Sequence, residues 1–130
     1  MNAVLYYLGV ACLFTHELDA MTHAEWRLLL VLRDLPDGTA SPWFVALHVP
    51  AFFFILWLSQ HGNARIRDAT RLTVAGFFVV HAVLHVSLSG TPDYGFHGAL
   101  SQTLIAGAAV FGFAYLVAAL RSRVGSRAAG

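Results

Sequence analysis

Between Phe14 and Trp26 the chain reads FTHELDAMTHAEW. An uncharged run from Ala3 leads into five ionisable groups: His16, Glu17, Asp19, His23 and Glu25. Further along come His48 in FVALHVP, His81 and His85 in HAVLH, and His97. Neutral imidazole is a common ligand for zinc, iron and copper. HAVLH sets two imidazoles on one helix face at i, i+4 spacing, and His16, Asp19 and His23 form a similar stripe at i, i+3, i+7. His16, His48, His81 and His85 are the candidate metal ligands. Asp19 and Glu17 are the candidate catalytic carboxylates, able to ligate, to orient an imidazole or to move a proton. His23 and His97 are candidates for the entrance or for supporting positions. Glu25 falls roughly opposite the stripe of a continued helix and reads as an interfacial charge. The structural alternative is a hydrogen-bonded polar network that only specifies helix packing.

The elements that must position these groups are membrane spans. The chain has 130 residues, 58% hydrophobic and 12% charged, and all eight cations are arginine. Ordinary soluble domains are about 25% charged. A bilayer core of about 30 Å needs about 20 helical residues. Four segments qualify, at about 2–23, 42–60, 69–89 and 98–120, so the predicted fold is an all-α bundle of four transmembrane helices. AEWRLLLVLRDL extends the first helix to the interface, Pro36-Asp37-Gly38 is a turn, and Ser41-Pro42 starts the second span. Pro50 predicts a kink within one turn of His48, because it lacks an N–H and presses on the Ala46 carbonyl. HGNARIRDATR reads as a polar loop, GTPDYG as a break, and residues 121–130 as a basic, disordered tail. Ala108 and Gly112 form a small-xxx-small pair, a close-packing seam through which two copies could associate.

Arginine placement orients the bundle. Arg65, Arg67, Arg71, Arg121, Arg123 and Arg127 fall on one side, against Arg27 and Arg33 on the other. By the positive-inside rule both termini are cytoplasmic, in an inner membrane. At about 1.5 Å per residue, His16 and His48 then lie roughly 10 Å below the outer boundary, His81 roughly 12 Å and His85 roughly 6 Å. Six of the seven histidines fall in the outer half, although the helices alternate in direction. Buried ionisable groups in a membrane pair with one another, with water or with a metal.

Three chemistries suit such a cluster. A zinc or iron ion with an open position could act on a small or lipid-like substrate. A b-type haem could sit between two axial histidines, while the absence of CxxCH excludes covalent attachment. A proton or cation pathway is the third, although the inner half of each span offers no matching polar path. Near-zero net charge argues against a nucleic-acid partner, and no serine sits in a nucleophile-elbow context. The lone Cys12 cannot form an internal disulfide and reads as core packing.

The residues FTHELDAMTHAEWR, FVALHVP and HAVLH together resemble a family of small four-span bacterial membrane proteins without an assigned function, which carries a His-Glu-Leu-Asp-Ala stretch in its first helix. More distantly, the first helix is similar to the HXXEE membrane family. His16 and Asp19 match that motif's histidine and first acidic position, and Ala20 stands where its second glutamate would be. The resemblance implies four spans and the importance of the cluster. It implies no activity.

Overall fold

The computed structural model describes residues 2–128, with side chains described for 3–124. Among the described residues there are four α-helices: α1 (Asn2–Thr22), α2 (Asp37–Ser59), α3 (Ala64–Leu88) and α4 (Ala99–Ala128). A single turn of 3-10 helix, Glu25–Leu28, lies between α1 and α2. Three helical segments, Asp37–Ser59, Ala64–Leu88 and Ala99–Val124, are long and apolar enough to cross a membrane. The first helix is not one of these three. It has the length, at 21 residues, but carries His16, Glu17 and Asp19 in its second half.

The helices alternate in direction, as their end contacts show. Tyr6 near the start of α1 bonds through its hydroxyl to Ser59 at the end of α2. Arg71 in α3 donates from Nε to the Ser59 carbonyl at 2.9 Å. Its guanidinium sits 5.6 Å from the ring centroids of both Tyr6 and Tyr7. Tyr115 of α4 meets Tyr6 with ring centroids 5.5 Å apart. A planar guanidinium stacks on aromatic faces while keeping its donors in plane for a carbonyl, so one arginine ties three helices at this end. Every histidine except His61 lies towards the opposite end.

Close packing holds α1, α3 and α4 together. A Cβ added at Gly112 would come within 2.7 Å of the Ala75 carbonyl oxygen and 3.1 Å of Phe78 Cβ. Ala108, one turn earlier, is buried in the same cluster as Phe78 and Leu13. Ala108 and Gly112 thus pack closely within the chain, against α3. Cys12 packs against Gly107 in a similar way. In contrast, α2 turns Trp43, Leu47, Phe53 and Trp57 outwards, and α3 and α4 expose Val80, Val83, Val110 and Phe113. An apolar exterior on this scale suits lipid rather than water.

Helix boundaries depart from the sequence reading in four places. Helix α2 begins at Asp37, capped by Pro36, so the expected turn is its first residues and Pro42 lies inside it. The α3 helix begins at Ala64, where the Asn63 side chain accepts from the Arg65 backbone N–H; that cap turns most of the expected polar loop into helix. Residues 121–128, expected as part of a disordered tail, continue α4. Residues 129 and 130 of that tail lie outside the described residues.

The fourth departure matters most. The chain does not continue as helix through AEWRLLLVLRDL. It stops at Thr22, and Ala24 takes φ 52° and ψ 47°, the left-handed region. That turn folds the 3-10 helix back over the bundle, burying Glu25 and Trp26. Asp37 at the start of α2 clamps the returning segment. It accepts from Trp26 Nε1 at 2.9 Å and from Arg27 Nε at 3.1 Å, with a second contact from the Arg27 guanidinium.

Two outcomes check this packing. A left-handed conformation costs an L-residue about 1–2 kcal/mol, so Ala24→Gly is expected to raise stability in detergent, read as a higher thermal midpoint, with Ala24→Val lowering it. Gly112→Ala is expected to lose about 1–3 kcal/mol by overpacking. Gly76→Ala serves as its control, since a Cβ at Gly76 meets nothing within 4 Å.

Candidate functional site

His16 of α1, His81 and His85 of α3 and Glu25 of the 3-10 turn form one buried group, each offering a donor atom within 4.8 Å of the others. His16 is fully buried, and the other three are at most 7% exposed. Placement follows from local structure. His81 and His85 are one helical turn apart, which brings their rings edge to face with centroids 4.5 Å apart. His16 meets them edge-on, at 5.1 Å and 4.9 Å. Glu25 arrives from above because the chain reverses at Ala24. Phe96, fully buried on the α3–α4 connection, closes the group with its ring 5.3 Å from His16 and 4.9 Å from His85.

The atoms converge as donors to a cation do. His16 Nε2 lies 3.2 Å from His85 Nε2. Glu25 places Oε2 at 3.5 Å from His16 Nε2 and Oε1 at 3.7 Å from His85 Nε2. Two facing imidazole nitrogens and a carboxylate repel unless a proton or a metal ion sits among them. Three buried atoms of the group, His16 Nδ1, Glu25 Oε2 and His81 Nε2, have no hydrogen-bond partner. Buried polar atoms are rarely left so, and unpartnered carboxylate and imidazole atoms within one buried group suit an ion. His85 Nδ1 lies 3.3 Å from the Tyr94 hydroxyl, a contact that can orient the ring and leave Nε2 facing the group. Burial pushes the Tyr94 phenol above its ordinary range, against the lowering pull of Gln102, so it stays protonated at neutral pH.

The other candidates stand around this group. His48 bonds to Glu17 instead of joining the four, with Nε2 to Oε2 at 2.9 Å. Its Nδ1 lies 2.6 Å from the Phe44 carbonyl. A carbonyl only accepts, so Nδ1 carries a proton. The contact at Nε2 then needs a second proton, held by His48 or by Glu17. The pair therefore shares one proton between Nε2 and Oε2. Asp19 lies one turn beyond His16, with Oδ1 3.4 Å from His23 Nδ1; its Oδ2 is buried without a partner. His97 is exposed, its ring 5.1 Å from that of Tyr94. His61 belongs to the opposite end, against Trp57.

A cavity of about 270 Å³ opens beside the group. Glu17, Glu25, His48, His81 and His85 line it, together with Leu28, Leu47, Phe77 and Leu84. The proton-holding pair and the four-residue group thus face one space with apolar walls.

Glu25 is the residue that sequence reasoning placed wrongly. The extended helix turned it away from the stripe, whereas the reversal at Ala24 folds it inwards. No glycine or proline marks that reversal. The contacts that hold it, from Trp26 and Arg27 to Asp37, join residues ten and eleven positions apart and are visible only in the folded chain.

Breaking the His48–Glu17 contact on one side strands a largely buried polar partner. The single variants His48→Leu and Glu17→Leu are each expected to cost about 3–5 kcal/mol, with the double variant close to neutral. A double-mutant cycle on detergent unfolding reads this directly, and additive losses would show that the two side chains do not act as a pair.

Neither the curated proteins nor the solved structures include a match to this sequence. A family profile, described as a family of unknown function, matches residues 2–122, nearly the whole chain. It spans all the elements that build the cluster, and the chain belongs to that family, DUF6713.

Proposed function

We propose that the protein is a four-span inner-membrane protein whose buried histidine/glutamate group binds a single transition-metal ion, zinc or iron. The donor spacing carries this reading. Tetrahedral metal–nitrogen bonds of about 2.0–2.1 Å put neighbouring donor atoms about 3.3 Å apart. The contacts of His16 Nε2, His85 Nε2 and Glu25 run from 3.2 to 3.7 Å. His16, His81 and His85 would supply imidazole nitrogens and Glu25 a carboxylate oxygen, with Tyr94 orienting His85. Haem fits less well, since rings that contact one another leave no slot for a porphyrin between two axial ligands.

The bundle would lie with both termini on the cytoplasmic side, α1 spanning with its polar stripe turned inwards and α2 bending at Pro50. This puts the metal group in the outer half of the membrane. The apolar cavity beside it suits a small or lipid-like molecule. A bound ion would act as a Lewis acid on a polar group of that molecule. The Glu17–His48 pair would give or take the proton, and Asp19 would support the site from one turn outwards. The convergent donors of the group and the Glu17–His48 pair line one cavity, which favours a metal-dependent reaction over a purely structural polar network.

Elemental analysis of protein purified without a histidine tag is the direct test. About one equivalent of zinc or iron per chain is expected, lost in the His81→Ala, His85→Ala double variant and reduced in Glu25→Gln. Tyr94→Phe is expected to weaken metal affinity by about 10–100-fold, as loss of an orienting partner does. A full-length, folded protein with no bound metal after incubation with zinc or iron would refute the reading.

A further inference from the structure

A second cavity touches the same group from the other side. It measures about 290 Å³ and lies between α3, α4 and their connection. Ser89, Tyr94, His97 and Gln102 give it polar walls, and His85 lines it as well as the cavity that holds Glu17 and His48. His85 is therefore a partition with a cavity on each side. One of its nitrogens faces His16 and Glu25, and the other faces the Tyr94 hydroxyl. Ser89 and His97 are exposed at the end of the bundle where the histidines lie.

The two spaces differ in what they offer a cation. Apart from the group itself and the Glu17–His48 pair, the first cavity is walled by leucine and phenylalanine, which replace none of the water an entering ion sheds. The second adds to His85 a hydroxyl, a phenol, an amide and an imidazole, beside Val86 and Ile105, and these polar atoms replace hydration as it is lost. We propose that the α3–α4 cavity is the ion's route, through which a hydrated divalent cation reaches the group past His85, with exposed His97 as its first protein ligand. The cavity between α1, α2 and α3 is left to the apolar molecule. Ion and organic ligand then arrive from opposite sides, so a molecule seated in the apolar cavity does not block replacement of the metal. This inference rests on the metal-binding reading above.

Cobalt(II) reports on the route, since its visible absorption intensifies when imidazole and carboxylate ligands replace water in a four-coordinate site. Metal-free, full-length protein in detergent is mixed with Co²⁺, and both the rate and the final absorbance are recorded. For His97→Ala and Ser89→Leu, loading several-fold slower than the unaltered protein is expected, with the same final absorbance. Leu47→Trp, which fills the apolar cavity, should load at the unaltered rate. His97 and Ser89 are exposed, so these changes leave the packed interior in place. Equal loading in all variants, or slowing by Leu47→Trp alone, would overturn the route while leaving the metal site standing. An unaltered protein that takes up no Co²⁺ would overturn both.

Discussion

Ionisable side chains inside an apolar bundle must answer one another's charge, and this constraint organises the molecule. Apolar side chains around them cannot do it, and the cost of an unanswered charge is several kcal/mol. Three imidazoles and a carboxylate meet that constraint by meeting at one place. Each comes from an element that would expose or strand it if the others moved. α1 supplies His16, α3 supplies His81 and His85, and the reversal after Thr22 supplies Glu25. A left-handed alanine at that reversal is a local cost, held by the Trp26 and Arg27 contacts to Asp37 and by the burial of Glu25 itself.

The two ends of the bundle solve different problems. At one, Arg71 spreads over Tyr6 and Tyr7 while binding the Ser59 carbonyl, a rigid tie among three helices. The small residues of α4 let α3 approach closely along the middle. At the other end the packing carries polar atoms with no partner and cavities on either side. The tie at the first end joins α1 and α3, the helices that carry the three histidines of the group.

Proton bookkeeping links the group to its neighbour. The Phe44 carbonyl fixes which nitrogen of His48 is protonated, and the contact to Glu17 then requires one proton more. That contact lines the same cavity as His81, His85 and Glu25, the residues of the group that could hold a metal ion. Membership of a family with no assigned function leaves the chemistry to be read from these atoms.

By itself the sequence determined the helical class, the apolar exterior and the segregation of histidines to one end. Those properties follow from composition, from a 3.6-residue repeat and from counting residues along helices of alternating direction. HAVLH was legible as a pair because one helical turn fixes its geometry locally. Only the tertiary structure decided which groups share a centre. His48 bonds to Glu17, and Glu25 takes a place in the four-residue group. The physical reason is that depth along a helix is a local quantity, whereas azimuth around a bundle depends on how helices pack. The turn at Ala24 is likewise set by long-range contacts to Asp37, in a stretch whose own residues favour continued helix.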